Sequence, residues 1–382
     1  MQQFNYPTQI LFGEGALSTF AEKIKTTAKN ILIVTDKTLV KAGVVDQVVQ
    51  ALNKVNLNSI IFDETHPNPI EEDVEKGLEL YRKSNCDALI GLGGGSPMDT
   101  AKVIRFISTH PGPLAQYDDA IGGDKLITNT MPALYAIPTT SGTGSEVGRS
   151  GVIILRATGK KTICFHPKLM PDIAVLEPML TCGLPPSITV ATGIDAFTHC
   201  LEAYFVNTFH PLADGIAQEG IRLILKYLPR AYQNGMDLEA RGAMQMAAAM
   251  GATAFQKGLG MTHSLAHPLS AHYNTHHGLA NALLLPESLR FIESQNLDAA
   301  AQAKLLRIQN LFAESMRMES TLASSTRQFI QDLGVTLGLR HHKIPADDLT
   351  QLSADAFMDT CHNTNIIRVS EANLLDVYKA AY

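Results

Sequence analysis

The sequence has few cysteines, and none of them form a recognisable pair. The five are scattered and odd in number, and no two form a C-x-x-C motif: Cys86, Cys164, Cys182, Cys200 and Cys361. This pattern argues against a disulfide framework and against a zinc site built from thiolates. We therefore expect a protein of the reducing cytoplasm.

The sequence also lacks an excess of basic charge and a long apolar segment. The net charge is −6, so nothing indicates a nucleic-acid or anionic-membrane partner. Residues 1–17 show no basic region followed by an apolar core, and we expect neither a secretory signal nor a membrane span. No internal repeat or low-complexity segment stands out.

The composition is that of a large globular chain. Its 382 residues are 45% hydrophobic and 18% charged, which is enough for two packed domains with a substantial core. The first half alternates short apolar runs with amphipathic stretches, a rhythm typical of βαβ units and a parallel sheet. We predict strands at residues 31–35, 59–62, 87–91, 133–137 and 151–155, and helices at residues 46–53 and 70–84.

The pattern changes after Leu184-Pro-Pro-Ser187, a break that favours the start of a helix. Beyond it strand signals almost vanish, and residues 237–255 and 297–316 have helical composition. We predict a Rossmann-like α/β domain with a parallel sheet at 1–182 and an all-helical domain at 183–382.

A glycine-rich loop, Gly93-Gly-Gly-Ser-Pro-Met-Asp99, follows a predicted strand and opens a predicted helix. Glycine allows close approach of a phosphate, and a helix N-terminus offers free N–H groups and a positive dipole. The motif is neither G-x-G-x-x-G nor a P-loop, so a plain strand-to-helix turn is the alternative. Asp99 would then only complement the helix dipole.

Two further segments suit a nucleotide. Asp36 ends the first predicted strand, where a carboxylate can bind a ribose hydroxyl and repel a 2′-phosphate; a solvated turn residue is the alternative. The run Pro138-Thr-Thr-Ser-Gly-Thr-Gly-Ser-Glu146 offers hydroxyls and backbone to a pyrophosphate or nicotinamide, or is an ordinary Ser/Thr turn.

The strongest signal is a set of metal-ligand residue types. Asp195 and His199 have the i, i+4 spacing that puts both on one helix face, and Glu202 lies on the same side as a supporting group. Residues 260–278 contain five histidines, of which His263 and His267 repeat that spacing. A lone histidine is more often structural than a ligand, but two such pairs are harder to dismiss. One carboxylate with imidazoles suits Fe(II), Zn(II) or a similar ion.

These segments, in this order, resemble the iron-containing (group III) alcohol dehydrogenase family along nearly the whole chain. The motifs that carry the resemblance are Gly93-Gly-Gly-Ser-Pro-Met-Asp99, Thr139-Thr-Ser-Gly-Thr-Gly-Ser-Glu146, Gly193-Ile-Asp-Ala-Phe-Thr-His-Cys-Leu-Glu-Ala-Tyr204 and the histidine run from His263 to Gly278. The resemblance implies an N-terminal dinucleotide-binding domain, a helical metal-binding domain, NAD, and a bound Fe(II) or Zn(II).

Matched by position, the resemblance implies that the metal ligands are Asp195, His199, His263 and His277. His267 matches a histidine near the reacting centre, which we interpret as a proton relay, and Cys361 lies where the family places a residue close to the substrate. The cofactor-lining positions are Asp36, Asn68, Gly94, Gly95, Ser96, Asp99, Thr139, Thr140, Thr143, Lys161 and Leu180.

One segment departs from the family pattern: Thr364-Asn-Ile-Ile-Arg368 stands where Asn-Pro-Arg is common, so the sequence does not name the alcohol. We predict an NAD-dependent alcohol dehydrogenase that converts a primary or small alcohol and its aldehyde, as a homodimer. The alternatives are a dehydroquinate synthase-like lyase, a metal-free reductase of the maleylacetate type and a structural or filament-forming relative.

Overall fold

The structure is a computed structural model that describes residues 6, 8–317 and 320–382. Residues 1–5, Pro7, Met318 and Glu319 lie outside the described part. The prediction that residues 1–17 contain no secretory signal therefore falls partly outside the described residues. The chain divides into two compact units. The α/β unit contains residues 6–140 and 144–183, and the helical unit contains residues 184–382 together with 141–143.

The α/β unit is built on a six-stranded parallel sheet with the strand order β1-β8-β5-β4-β2-β3. Its strands are β1 (Gln9–Phe12), β2 (Asn30–Val34), β3 (Asn58–Phe62), β4 (Ala88–Gly93), β5 (Ala133–Pro138) and β8 (Ile173–Leu176). Its helices are α1 (Ala16–Ile24), α2 (Lys37–Lys41), α3 (Val44–Asn53), α4 (Glu71–Lys83) and α5 (Gly95–Ile107).

The sheet is buried on both faces, which explains why its central strands are almost entirely apolar. Ile31 and Ile33 of β2 point into one hydrophobic layer with residues of α1 and α3. Leu32 and Val34 point into the opposite layer with residues of α4 and α5. This alternation lets a continuous Ile-Leu-Ile-Val run serve two cores at once.

The predicted strand near 151–155 lies outside this sheet. It is β6 (Ser150–Ile154), which pairs antiparallel with β7 (Lys161–Phe165) in a separate two-stranded ladder. The sequence analysis did not predict β1, β7 or β8. Strands of four or five residues carry little periodicity of their own. The partners of β1 and β8 are also remote in sequence, such as Ile173 for Gln9, whereas β7 pairs with the nearby β6.

The helical unit contains nine α-helices among its described residues. They are α6 (Pro186–Phe205), α7 (Pro211–Gln233), α8 (Leu238–Ala254), α9 (Met261–Tyr273), α10 (His277–Glu293), α11 (Ala299–Met316), α12 (Leu322–Asp332), α13 (Leu349–Met358) and α14 (Glu371–Ala380). Helix α6 is buried along nearly its whole length, from Thr189 to Phe205. It begins directly after the Leu184-Pro-Pro break, as predicted, with prolines in positions where no helical N–H is needed.

The predicted fold class, a parallel α/β unit followed by a helical unit, is confirmed. The domain ranges 1–182 and 183–382 stay predictions. Within the described residues no helix combines the length and the apolar character that crossing a bilayer would require.

Candidate active site

Helix α6 carries the first two predicted metal ligands. Asp195 and His199 lie one turn apart on it and are 3% and 6% exposed. The start of the helix is anchored by Arg241, which donates to the Thr189 hydroxyl at 2.7 Å and to the Leu184 carbonyl at 3.4 Å. The two side chains are therefore displayed from a rigid, buried support.

Helices α9 and α10 bring two more ligand types to Asp195. His263 lies in the first turn of α9, and His277 is the first residue of α10. The distances to Asp195 Oδ1 are 4.0 Å from His263 Nε2 and 3.4 Å from His277 Nε2. Ligand atoms of these three residues all lie within 4.8 Å of one another.

His199 lies beside this group without belonging to it. Its Nε2 is 3.9 Å from Asp195 Oδ1, and its ring stacks on that of His263 with centroids 4.7 Å apart and planes 13° apart. All four residues predicted as ligands are thus neighbours, with Asp195 at their centre.

Glu202, expected from the sequence to be a supporting group, fixes the orientation of His263. Its carboxylate lies 2.6 Å from His263 Nδ1 and accepts the backbone N–H groups of Gly260 at 2.9 Å and Thr262 at 2.7 Å. Burial alone would raise the pKa of Glu202, but His263 and these N–H groups hold it below its usual value. The Glu202 carboxylate in turn raises the pKa of His263 despite its burial. Because an ionised carboxylate can only accept, His263 Nδ1 donates to it.

The donor chemistry fits a divalent metal ion. His263 Nε2 is buried, has no hydrogen-bond partner and faces Asp195, as expected of a ligand whose other ring nitrogen is held by a carboxylate. Burial lowers the pKa of His199 to about 4 and that of His277 well below its usual value. Both imidazoles are therefore neutral near pH 7, with a lone pair for an ion.

Sequence reasoning missed Asn281, whose side-chain amide donates to Asp195 Oδ1 at 2.9 Å and lies 3.4 Å from His277 Nε2. It is buried on α10, one turn after His277. The i, i+4 spacing from the predicted ligand His277 was the available signal.

His267, the predicted proton relay, sits next to the metal-ligand group. Its ring stacks on that of His277 with centroids 5.2 Å apart, and its Nδ1 lies 2.8 Å from Asp359 Oδ2. The other oxygen of Asp359 accepts the Ser264 hydroxyl and the Cys361 N–H, both at 2.8 Å. The hydrogen bond from His267 lowers the pKa of Asp359 far below its usual value, although burial opposes this. Asp359 was not identified from the sequence, because 92 residues separate it from His267.

Most predicted cofactor residues lie at one edge of the parallel sheet. Four neighbouring strands, in the order β8-β5-β4-β2, end there. Leu180, Thr139 and Thr140, Gly94 to Ser96, and Asp36 follow the carboxyl ends of these strands in that order. Ligands of open parallel sheets bind at such an edge.

The glycine loop turns directly into a helix at this edge. Gly94 precedes the first residue of α5, so the N–H groups of Gly95 and Ser96 are in the first turn. Gly93 has φ +146°, and a Cβ there would lie 2.8 Å from the Pro97 ring. The Ser96 hydroxyl donates to the Pro67 carbonyl at 2.6 Å, which ties the loop to the segment containing Asn68.

Asp99, on α5, is linked to β6 and to the turn at Ser145. Its carboxylate accepts the Ser145 hydroxyl at 2.6 Å and the Val152 N–H at 3.2 Å, and lies 3.7 Å from Lys102 Nζ. Burial raises the pKa of Asp99 and lowers that of Lys102. These contacts fasten β6 and the Ser145 turn to α5, so a role of Asp99 toward a cofactor stays a prediction.

The remaining predicted cofactor residues lie in less regular positions. Asp36 caps α2, with one carboxylate oxygen accepting the N–H groups of Thr38 at 2.8 Å and Leu39 at 3.1 Å. Its other oxygen takes part in neither bond. Lys161 is the exposed first residue of β7, and Thr143 groups with the helical unit.

Comparison with known proteins gives matches along almost the whole chain. The family model "Iron-containing alcohol dehydrogenase" matches residues 7–178, and the model of the C-terminal part of the same family matches residues 189–382. A 4-hydroxybutyrate dehydrogenase of Cupriavidus necator is 40% identical over 377 residues, which is 96% of each chain. An NAD-dependent methanol dehydrogenase of Bacillus methanolicus is 33% identical and also covers 96% of each chain.

The solved structures agree. The crystal structure of a 1,3-propanediol oxidoreductase superimposes with a TM-score of 0.91 at 33% identity, covering all of both chains. The matches confirm the prediction of an NAD-dependent alcohol dehydrogenase and favour it over a lyase, a metal-free reductase or a structural relative. The chain therefore belongs to the iron-containing alcohol dehydrogenase family.

Proposed function

We propose that one divalent ion binds to Asp195, His199, His263 and His277, with Fe(II) as the native ion and Zn(II) as an alternative occupant. The observation that carries this proposal is the buried Nε2 of His263, which has no hydrogen-bond partner and faces Asp195 while Glu202 holds Nδ1. The four side chains offer one carboxylate and three imidazoles, a donor set that suits either ion.

The proposed reaction is the NAD-dependent interconversion of a primary or small alcohol and its aldehyde. The bound ion would supply Lewis-acid polarisation of the substrate oxygen, and the nicotinamide would accept the hydride. The chain's own residues orient the ligands, through Glu202 and Asn281, and move the alcohol proton. Because Asp359 engages Nδ1 of His267, Nε2 is the nitrogen that takes up this proton and passes it on.

For NAD we propose a site along the sheet edge. The N–H groups of Gly94, Gly95 and Ser96 would bind the pyrophosphate, and Asp36 would bind the adenosine ribose. The other proposed contacts are Asn68, Asp99, Thr139, Thr140, Thr143, Lys161 and Leu180. A strand-end carboxylate and a helix N-terminus at neighbouring strands support this arrangement.

The substrate class, assembly and location are part of the same proposal. Relatives named for 4-hydroxybutyrate, methanol and 1,3-propanediol favour a small molecule with a terminal hydroxyl. A homodimer is supported by the edge strand β1, where Phe12 is 51% exposed. Five cysteines without a disulfide suit the cytoplasm.

Three measurements on protein purified without air test the proposed function. Elemental analysis should find one divalent ion per chain. NADH should accumulate when NAD is supplied with ethanol, 1,3-propanediol or 4-hydroxybutyrate, and light scattering should give twice the chain mass. Metal-free protein that is fully active, or NAD that is used without net NADH formation, would refute it.

The proton relay predicts a specific effect of His267→Ala. The variant should keep its metal and its NAD affinity, because His267 is outside the ligand set, while turnover falls about 100-fold, the usual contribution of one acid–base group. Metal content, NAD binding and steady-state kinetics measure this. Loss of the metal would make His267 a ligand, and unchanged turnover would place the relay elsewhere.

The ribose contact predicts that Asp36 sets the preference for NAD over NADP. Asp36→Asn keeps an oxygen to cap α2 but removes the charge that repels a 2′-phosphate, and Asp36→Gly removes both at little cost to the cap. In both, the ratio of kcat/KM for NAD over NADP should fall about tenfold. Asp63→Asn, just after neighbouring β3, is the matched control and should leave the ratio unchanged. Equal use of both cofactors by the wild type would show that Asp36 does not discriminate.

A further inference from the structure

The helical unit contains a second group of side chains of the types that bind metals. His267, Asp359 and Cys361 each present one donor atom, and the three atoms all lie within 4.8 Å of one another. None of them belongs to the set proposed above for the iron. The group combines an imidazole, a carboxylate and a thiol, whereas the proposed iron ligands are nitrogen and oxygen only.

The Asp359 carboxylate is oriented mainly through one of its two oxygens. Its Oδ1 accepts the Ser264 hydroxyl and the Cys361 N–H, both at 2.8 Å. Its Oδ2 lies 2.8 Å from His267 Nδ1. An ion entering the group replaces this last hydrogen bond, and the two bonds to Oδ1 remain to orient the ligand.

The third donor of the group is the thiol of Cys361. Cys361 is in no disulfide, and burial and the Asp359 carboxylate raise the pKa of its thiol well above the usual value. The thiol is therefore protonated and unreactive until a cation arrives to displace its proton. Thiolate together with imidazole and carboxylate is a donor set typical of Zn²⁺, and such sites bind Zn²⁺ more tightly than Fe²⁺.

We propose that His267 Nδ1, Asp359 Oδ2 and Cys361 Sγ form a binding site for a Zn²⁺ ion, which is separate from the iron site and inhibits the enzyme. Water would complete four-coordination. The Cys361 S–H proton passes to solvent, and the His267 proton moves from Nδ1 to Nε2, so one proton is released per ion. The inhibition rests on the proposed relay role of His267, because its Nε2 then carries a proton and no longer accepts one. The binding itself does not rest on that role.

A cobalt titration tests the site on the iron-loaded enzyme without air. Co²⁺ should bind with one further ion per chain and produce a thiolate-to-cobalt charge-transfer band in the near ultraviolet, which nitrogen and oxygen ligands do not give. In Cys361→Ser the band should disappear and the affinity of the second ion should fall at least about tenfold. Cys86→Ala, which alters a buried cysteine of the α/β unit, is the matched control and should keep both.

Two further results separate this site from the iron site. In His263→Ala, which disables only the proposed iron site, the thiolate-to-cobalt band should persist. Loss of the band in this variant would place the thiolate at the iron site and overturn the proposal. Excess Zn²⁺ should inhibit the wild type, while Cys361→Ser should need at least about tenfold more Zn²⁺. Failure of the iron-loaded wild type to bind a second ion, or a band that survives Cys361→Ser, would also overturn it.

Discussion

His263→Ala should abolish both metal binding and activity while the protein stays folded. The substitution removes one of the donor nitrogens near Asp195. It also removes the hydrogen bond from His263 Nδ1 to Glu202 that orients this donor. Without the ion the chain has no Lewis acid for the alcohol oxygen, a contribution of several kcal/mol, so turnover should fall at least about 1,000-fold. Elemental analysis and NADH formation measure the two effects, and circular dichroism reports the fold.

His272→Ala is the control for this variant. His272 lies on the same helix, α9, but its side chain is 49% exposed and pairs with Asp355 rather than with the ligand group. Its replacement should leave the ion and the turnover as in the wild type. Wild-type metal content in His263→Ala would remove His263 from the ligand set and with it the central assignment of the proposed function.

Helices and strands could be predicted where a hydrophobic pattern was continuous or where prolines marked the boundary of an element. Helix α6 follows the Leu184-Pro-Pro break, and β2 is a continuous apolar run that both faces of the sheet bury. The pairing of β6 with β7 depends on a partner strand whose burial alternates over only five residues. Such a pattern does not by itself distinguish an edge hairpin from another strand of the main sheet.

Some residues of the candidate site could likewise be predicted from the sequence, and others could not. Asp195, His199 and Glu202 follow a helical spacing that can be read directly from the sequence, and the histidine run is dense enough to notice. Asp359 reaches His267 across 92 residues and Ser264 across 95, so no local pattern announces it. Asp36 shows a further limit of prediction from the sequence. Its single carboxylate caps α2 in this structure and is also proposed to bind a ribose. The contacts of Asp359 depend on tertiary packing, which residue types alone do not determine.

The proposed metal site also depends on close packing between α6 and α10 at a glycine. Gly278 directly follows His277, a proposed ligand. A Cβ at position 278 would overlap the Ala191 carbonyl, with its carbon only 2.6 Å away, and would lie 3.1 Å from Asp195 Cβ. The obstacle on α6 is backbone rather than a flexible side chain. It therefore cannot move aside without shifting a helix.

Gly278→Ala should therefore separate His277 from Asp195, although alanine is the better helix former. We expect metal affinity to fall by about 100-fold, activity to fall with it, and the free energy of unfolding to drop by about 1–3 kcal/mol from overpacking. Metal titration and denaturant unfolding measure these changes. Gly215→Ala, at an exposed position of α7 where a Cβ meets nothing within 4 Å, is the matched control and should raise stability by about 0.5–1 kcal/mol with the ion retained. If both variants behaved alike, the contact between α6 and α10 would not be what sets the distance between the two ligands.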